Sequence, residues 1–151
     1  MVRDYVERLY TPAALAHRDL AASGFARGRE AAAWRARVTE AWPRVHIAHV
    51  ASGGVDAQPQ VGDELRLRAT VELGGLLPDE VLVEAVHGEV TGEDALHAVE
   101  STPLSLDPQL PGVYSGSLPL SRAGGFGYTV RVLPRHPSLA SNAELGLVAY
   151  A

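Results

Sequence analysis

All thirteen basic residues among the 151 are arginine; there is no lysine and no cysteine, and eighteen carboxylates leave a formal charge of -5. The missing cysteine excludes disulfides, thiolate nucleophiles and thiolate metal ligands, and the missing lysine excludes a Schiff-base anchor for a cofactor such as pyridoxal phosphate and a Walker-type phosphate loop. With 46% hydrophobic and 21% charged residues, the composition suits one globular domain, with or without a helical appendage; the acidic balance argues against nucleic acid, and the lack of a membrane-length apolar run or a leader-like opening favours a cytoplasmic, membrane-free chain.

The first forty-odd residues carry a helical period. Val2, Tyr5, Val6, Leu9 and Tyr10 recur at i, i+3, i+4, i+7 and i+8, forming one apolar stripe. Arg3, Asp4, Glu7 and Arg8 take the other face, with Asp4 and Arg8 spaced for an i,i+4 ion pair. Thr11-Pro12 reads as a cap followed by proline in the first turn. A second, alanine-rich helix is expected to run to about Ala22 and stop at Ser23-Gly24. A third, from about Gly28, places Ala31, Trp34, Val38 and Trp42 on one stripe and ends at Pro43. So small a helical part cannot cover its own apolar surface. It needs a partner surface, and a first helix that begins at residue 2 reads as cut from a longer chain.

From Arg44 the period changes to two. In Glu64–Leu73, Leu65, Leu67, Ala69, Val71 and Leu73 alternate with Glu64, Arg66, Arg68, Thr70 and Glu72, the pattern of a half-buried strand. Further strands are expected at Val45–Val50, Val81–His87, Ala95–Glu100, Val113–Leu120, Phe126–Leu133 and Leu145–Tyr150. Turn signals separate them: Ser52-Gly53-Gly54, Gly74-Gly75, Pro78-Asp79, Thr91-Gly92, Asp107-Pro108 and Ala123-Gly124-Gly125. Seven short strands so punctuated imply a mainly β fold, an immunoglobulin- or fibronectin-like antiparallel β-sandwich preceded by a short α-helical segment. The Cys–Trp–Cys core of immunoglobulin domains is missing, so only the architecture is expected. The boundaries are 1–43 for the helical lead-in and 44–151 for the sandwich.

Few residues suggest chemistry. His46 and His49, three apart on a strand, are expected on opposite faces, and no third ligand stands at a metal-binding spacing. The acidic pairs Asp63-Glu64, Asp79-Glu80 and Glu93-Asp94 fall at turns, where carboxylates form turns or meet solvent. Gly124-Gly125-Phe126-Gly127 enters a strand and offers no helix N-terminus to a phosphate, and no Gly-x-Ser-x-Gly elbow occurs. We therefore assign no catalytic, cofactor-binding or metal-binding residue. Stacking on exposed aromatic rings is the remaining chemistry. Trp34, Trp42 and Tyr114 are the candidate carbohydrate or partner contacts, although helix stripe and strand parity also suit them as core; Tyr128 shares parity with Phe126, Val130 and Val132 and is expected in the core.

Two stretches carry a resemblance. Met1 to Ala14 (MVRDYVERLYTPAA) is similar to the segment that follows the catalytic region of bacterial α-glucan phosphorylases. Gly124 to Leu139 (GGFGYTVRVLPRHPSL) and Glu144 to Ala151 (ELGLVAYA) resemble the C-terminus of the long actinobacterial-type members. The middle, with Val61 to Ala69 (VGDELRLRA), resembles more faintly the N-terminal sandwich of maltosyltransferases from the same glucan pathway. The resemblance implies a parent that phosphorolyses α-1,4-glucan to glucose 1-phosphate with pyridoxal phosphate on a lysine. No position here matches the family's glycine-rich loops or cofactor lysine, so no functional residue carries over. What it implies for this chain is a non-catalytic C-terminal accessory module, whose partners are the parent's catalytic lobes or a second copy, and α-glucan. A free-standing glucan-binding module and an unrelated immunoglobulin-like interaction domain are the alternatives.

Overall fold

The switch of period at Arg44 is a switch of backbone. The computed structural model describes residues 2–56, 59–90 and 95–151 and divides them into two compact units, Met1–Glu40 and Ala41–Ala151. The side chains of Val2, Asp4 and Leu9 lie outside the described residues, and with them part of the first stripe and the Asp4–Arg8 pair. So do the Thr91-Gly92 turn and the Glu93-Asp94 carboxylates.

The first unit is helical. Helix α1 spans Val2–Tyr5, a π-helical turn follows at Val6–Tyr10, and α2 covers Thr11–Ala41. Pro12 explains the π turn: it has no N–H for the carbonyl four residues back and its ring crowds that carbonyl, so the preceding backbone widens, with Thr11 N–H donating to Val6 O. In place of the expected second and third helices there is one assigned helix, carried through by its alanine content. The expected stop survives as a local defect: Gly24 and Phe25 take φ +64 and +63, and Arg29 Nη1 donates to Gly24 O at 2.6 Å. A non-glycine residue in that region costs about 1–2 kcal/mol. Ala31, Trp34 and Val38 are buried at helical spacing, whereas Tyr5, Val6, Tyr10, Leu15 and Phe25 are exposed.

The second unit is two four-stranded antiparallel sheets. A 3-10 turn at Trp42–Arg44 leads into β1 (Val45–Gly53), β2 (Glu64–Leu73), β3 (Val81–Val90), β4 (Leu96–Pro103), β5 (Ser105–Leu106), β6 (Val113–Pro119), β7 (Phe126–Pro134) and β8 (Ala149–Tyr150). Their order is β1-β2-β6-β5 in one sheet and β4-β3-β7-β8 in the other. Strand β2 has the bounds its alternation gives, and Leu65, Leu67, Ala69 and Val71 are buried while Arg66, Arg68 and Glu72 are exposed. Leu118 of β6, Val83 and Ala85 of β3, and Val130 and Val132 of β7 complete the centre of the core, each at most 1% exposed. Each larger apolar side chain so enclosed stabilises the fold by about 1.5–3 kcal/mol.

Three expectations need correction. The last strand is only Ala149–Tyr150, because residues 141–146 form turns closed by Glu144 N–H to Ser141 O and Gly146 N–H to Ala143 O. A two-residue strand, β5, pairs with β6 through Ser105 and Leu106 and has too few residues to show a period. The histidines of β1 do not face opposite ways. A bulge at Ala48 shifts the register, so that His46 pairs with Glu72 and His49 with Thr70, two residues apart on β2. The extra residue cancels the odd spacing and puts both imidazoles on the exposed face. His46 Nδ1 lies 3.2 Å from Arg44 O, and among the described residues no three His, Asp or Glu side chains group to hold a metal ion.

Candidate functional site

Strand β7 carries an unbroken inward face, but its cover does not extend along its whole length. Val130 and Val132 are fully enclosed, while Phe126 and Tyr128, on the same parity nearer the strand's start, are half-buried. They face a cleft of about 580 Å³ at that end of the sheets, whose apolar wall also includes Val61, Leu65 and Leu120. Ser52, Gln60 and Arg122 bring polar groups to the same cleft. Its rim is pinned by Gly62 N–H to Leu120 O and Leu120 N–H to Asp63 O, both 2.9 Å, and by Gln60 N–H to Asp63 Oδ2 at 2.8 Å. A largely apolar recess with a few convergent polar groups is the usual form of a small-molecule site.

Beside it stands the most buried histidine. His87 is 5% exposed, its ring centroid lies 5.8 Å from that of Phe126, and its Nε2 is 3.0 Å from Thr102 Oγ1. A small cavity of about 40 Å³ borders His87, Glu89, Glu100, Arg122 and Phe126, room for little more than water. An imidazole beside a hydroxyl has the makings of a nucleophile–base pair, but Thr102 lines neither the larger cleft nor the small cavity. The arrangement suits packing and binding better than group transfer.

The aromatic candidates chosen from the sequence lie elsewhere. Trp34, Trp42 and Tyr114 are 6%, 7% and 4% exposed, and none lines the aromatic cleft. With their faces covered, none offers a sugar a ring to stack on in this conformation. Trp42 Nε1 and Tyr114 Oη are buried without a hydrogen-bond partner, and burial pushes the Tyr114 phenol above its ordinary pKa. The pair that sequence reasoning missed is Phe126 and Tyr128. Strand parity assigns both to the core, and the signal against that was the glycine run ahead of them, Gly124-Gly125, which supplies no side chain to close that end.

The model for the glycogen phosphorylase C-terminal domain matches residues 42–151. The chain belongs to that family. Glycogen phosphorylases of Mycobacterium tuberculosis (strain ATCC 25618 / H37Rv) and Mycobacterium bovis are each 46% identical to it over 158 residues, covering 100% of this chain and 18% of the relative. Maltodextrin phosphorylase of Thermococcus litoralis is 29% identical over 160 residues, covering 99% of this chain and again 18% of the relative. A glycogen phosphorylase C-terminal domain of this kind thus spans under a fifth of the curated relatives it matches. Pyridoxal phosphate bound as a Schiff base does not fit this chain, which has no lysine side chain to hold it. Among the described residues no helix is long and apolar enough to cross a membrane.

Proposed function

We propose that this chain is the non-catalytic accessory module of an α-glucan phosphorylase, with a helical lead-in over 1–43 and a β-sandwich over 44–151. The observation that carries the reading is the coverage: the whole chain aligns at 46% identity with glycogen phosphorylases but takes in 18% of their length. Arginine as the only basic side chain besides histidine supports it, since catalysis through a lysine-bound cofactor must then reside outside these residues. The module's partner is the parent's catalytic region, and exposed Tyr5, Val6, Tyr10 and Leu15 on the helical lead-in supply apolar surface for that association. The activity of the parent, phosphorolysis of α-1,4-glucan in the cytoplasm, is read from the relatives' names and the family resemblance.

An immunoglobulin-like architecture is supported by strand order. Lettered in chain order, with β4 as an extra strand beside the third, β1-β2-β6-β5 reads A-B-E-D, and β3-β7-β8 reads C-F-G.

The test is direct. Incubated with α-glucan and phosphate, the 151-residue chain should release no glucose 1-phosphate, and with pyridoxal phosphate it should form no stoichiometric borohydride-trappable adduct. Turnover, or a single modified site, would overturn the reading. A glucan-contacting role is favoured by one observation, the two half-buried rings of Phe126 and Tyr128 in a cleft that Gln60 and Arg122 also line. Calorimetry with a maltooligosaccharide checks it: Phe126→Ala and Tyr128→Ala should each weaken binding several-fold, and an unchanged affinity would remove this role.

A further inference from the structure

The outer face of the β1-β2-β6-β5 sheet carries a second feature, separate from the aromatic cleft. Cross-strand pairing sets Gly53, Arg66 and Ser117 in one rung, and Ala51, Arg68 and Ser115 in the next, extended by Ser105 of β5. Two guanidinium side chains thus stand side by side on β2, about 7 Å apart at the backbone. Every neighbour across the strands ends in a hydrogen, a methyl or a hydroxymethyl group. The result is a trough of about 480 Å³ lined by Ser52, Gly53, Arg66, Arg68, Ser115 and Ser117, among others, with no carboxylate in its lining.

The electrostatics of the trough are unbalanced. Among the described residues, Arg66 makes no hydrogen bond or ion pair. Arg68 has one acidic neighbour, Asp107, whose Oδ2 is 3.7 Å from Nη2, beyond hydrogen-bonding distance. Arg66 lies between Glu64 and Arg68 on that face of β2, and among the described residues no ion pair joins it to Glu64. Glu64 offsets part of the repulsion between the two arginines, while the lining of the trough itself holds no carboxylate. The stem of Arg66 is also held. Gly54, at φ +87, leaves open the space that a Cβ would take 3.1 and 3.2 Å from Arg66 Cγ and Cδ, so the side chain lies against the end of β1.

We propose that this trough binds an oxyanion of the phosphate class, a free phosphate ion or a phosphomonoester. The donors are the two arginine forks, which match phosphate oxygens in pairs, and the Ser115 and Ser117 hydroxyls. A tetrahedral anion presents enough acceptors for this set; a carboxylate has only two oxygens and leaves most of the donors idle. A neutral sugar lacks the charge, and no aromatic ring lines the trough. The inference does not rest on the glucan-contact reading, because Phe126 and Tyr128 line another cleft.

Amide chemical-shift titration of the 151-residue chain tests it, using inorganic phosphate, glycerol 3-phosphate and, as the control at matched ionic strength, acetate. Saturable shifts are expected at Gly53, Gly54, Arg66, Arg68 and Ser115 to Ser117 with both phosphate probes and not with acetate. The tighter of the two probes identifies the source, ion or ester. Arg66→Gln with Arg68→Gln should weaken binding by about tenfold or more with an unchanged melting temperature, since both side chains are exposed. Arg135→Gln, an exposed arginine outside the trough, should leave it unchanged. Affinity for the ester probe should fall as the pH drops below about 6, where a phosphomonoester loses its second charge. Equal shifts with acetate, an unsaturable response, or a double variant that binds as tightly as the parent would each overturn the assignment.

Discussion

Arg131 of β7 sets two guanidinium nitrogens on one oxygen of Glu84 across β3, with Nε at 2.7 Å and Nη2 at 2.6 Å from Oε1. The two residues are cross-strand partners, and the Glu84 side chain is 8% exposed against 29% for Arg131. Burial pulls the guanidinium pKa down; hydrogen bonds to Glu84 and Tyr150 outweigh it and leave a net rise. A raised pKa means that the pair's contribution is present in full below the ordinary arginine range and is lost only above it. Stability should therefore show no loss from this arginine between pH 6 and 9.

Removing the carboxylate strands the cation. Glu84→Gln should destabilise the chain by about 2–3 kcal/mol, less than a fully enclosed pair because Arg131 keeps some contact with water. Replacing both partners, Glu84→Leu with Arg131→Met, should recover part of the loss. Urea unfolding of the wild type, Glu84→Leu, Arg131→Met and the double variant gives the coupling, and additive losses would mean that the two groups do not act as a pair.

The two faces of β2 should respond in opposite ways. Leu67, 2% exposed, lies among fully enclosed side chains, and Leu67→Ala should cost about 2–5 kcal/mol. Arg66→Ala, on the solvent face, should stay within about 0.5 kcal/mol. Denaturation midpoints check both, and comparable losses would reverse the facing assignment.

Tyr114 is a buried hydroxyl without a partner. Tyr114→Phe should stabilise the chain by about 1 kcal/mol by removing an unsatisfied polar atom. Desolvation raises the phenol pKa in the folded state, so folding favours the protonated ring. That contribution is complete below the unfolded pKa, near 10, and is lost as the pH rises through the folded value. Wild-type stability should fall above about pH 10, and the fall should be shallower in Tyr114→Phe, as read by melting temperature against pH.

At Gly88, where β3 shifts register against β4, an added Cβ would fall on the carbonyl oxygen of His97. That oxygen belongs to a paired strand and cannot move aside cheaply. Gly88→Ala should cost about 1–3 kcal/mol, and it should speed amide exchange in β4 more than in β2. Uniform exchange across both sheets would show that the strain spreads instead of unzipping the edge.

Local pattern made much of this architecture legible. The alternation from Glu64 to Leu73 located β2 to the residue, because one face is buried along most of the strand. What escaped depends on partners distant in sequence. Nothing near Glu84 announces Arg131, 47 positions later, so the pattern of the strand alone does not reveal the buried pair. The faces of His46 and His49 turn on one bulged residue whose cause is the register with β2. Phe126 and Tyr128 share the parity of Val130 and Val132, and parity says which face a residue takes but not how far along the strand that face stays covered. The Arg66/Arg68 trough needed the cross-strand rungs as well, since its emptiness comes from glycine, alanine and serine on two other strands.

The two residues of β8 have an influence out of proportion to their number. Arg131 pairs with Tyr150 and Val132 with Ala149, and Ala151 N–H donates to Val130 O. Over that stretch they shield the outer hydrogen-bonding edge of β7, a strand whose other edge is already occupied by β3. Stripped of its last three residues, the chain would present that row of unmet N–H and C=O groups beside Val130 and Val132, an open template for another strand. A clipped preparation would then differ from the intact one less in its fold than in its tendency to clump.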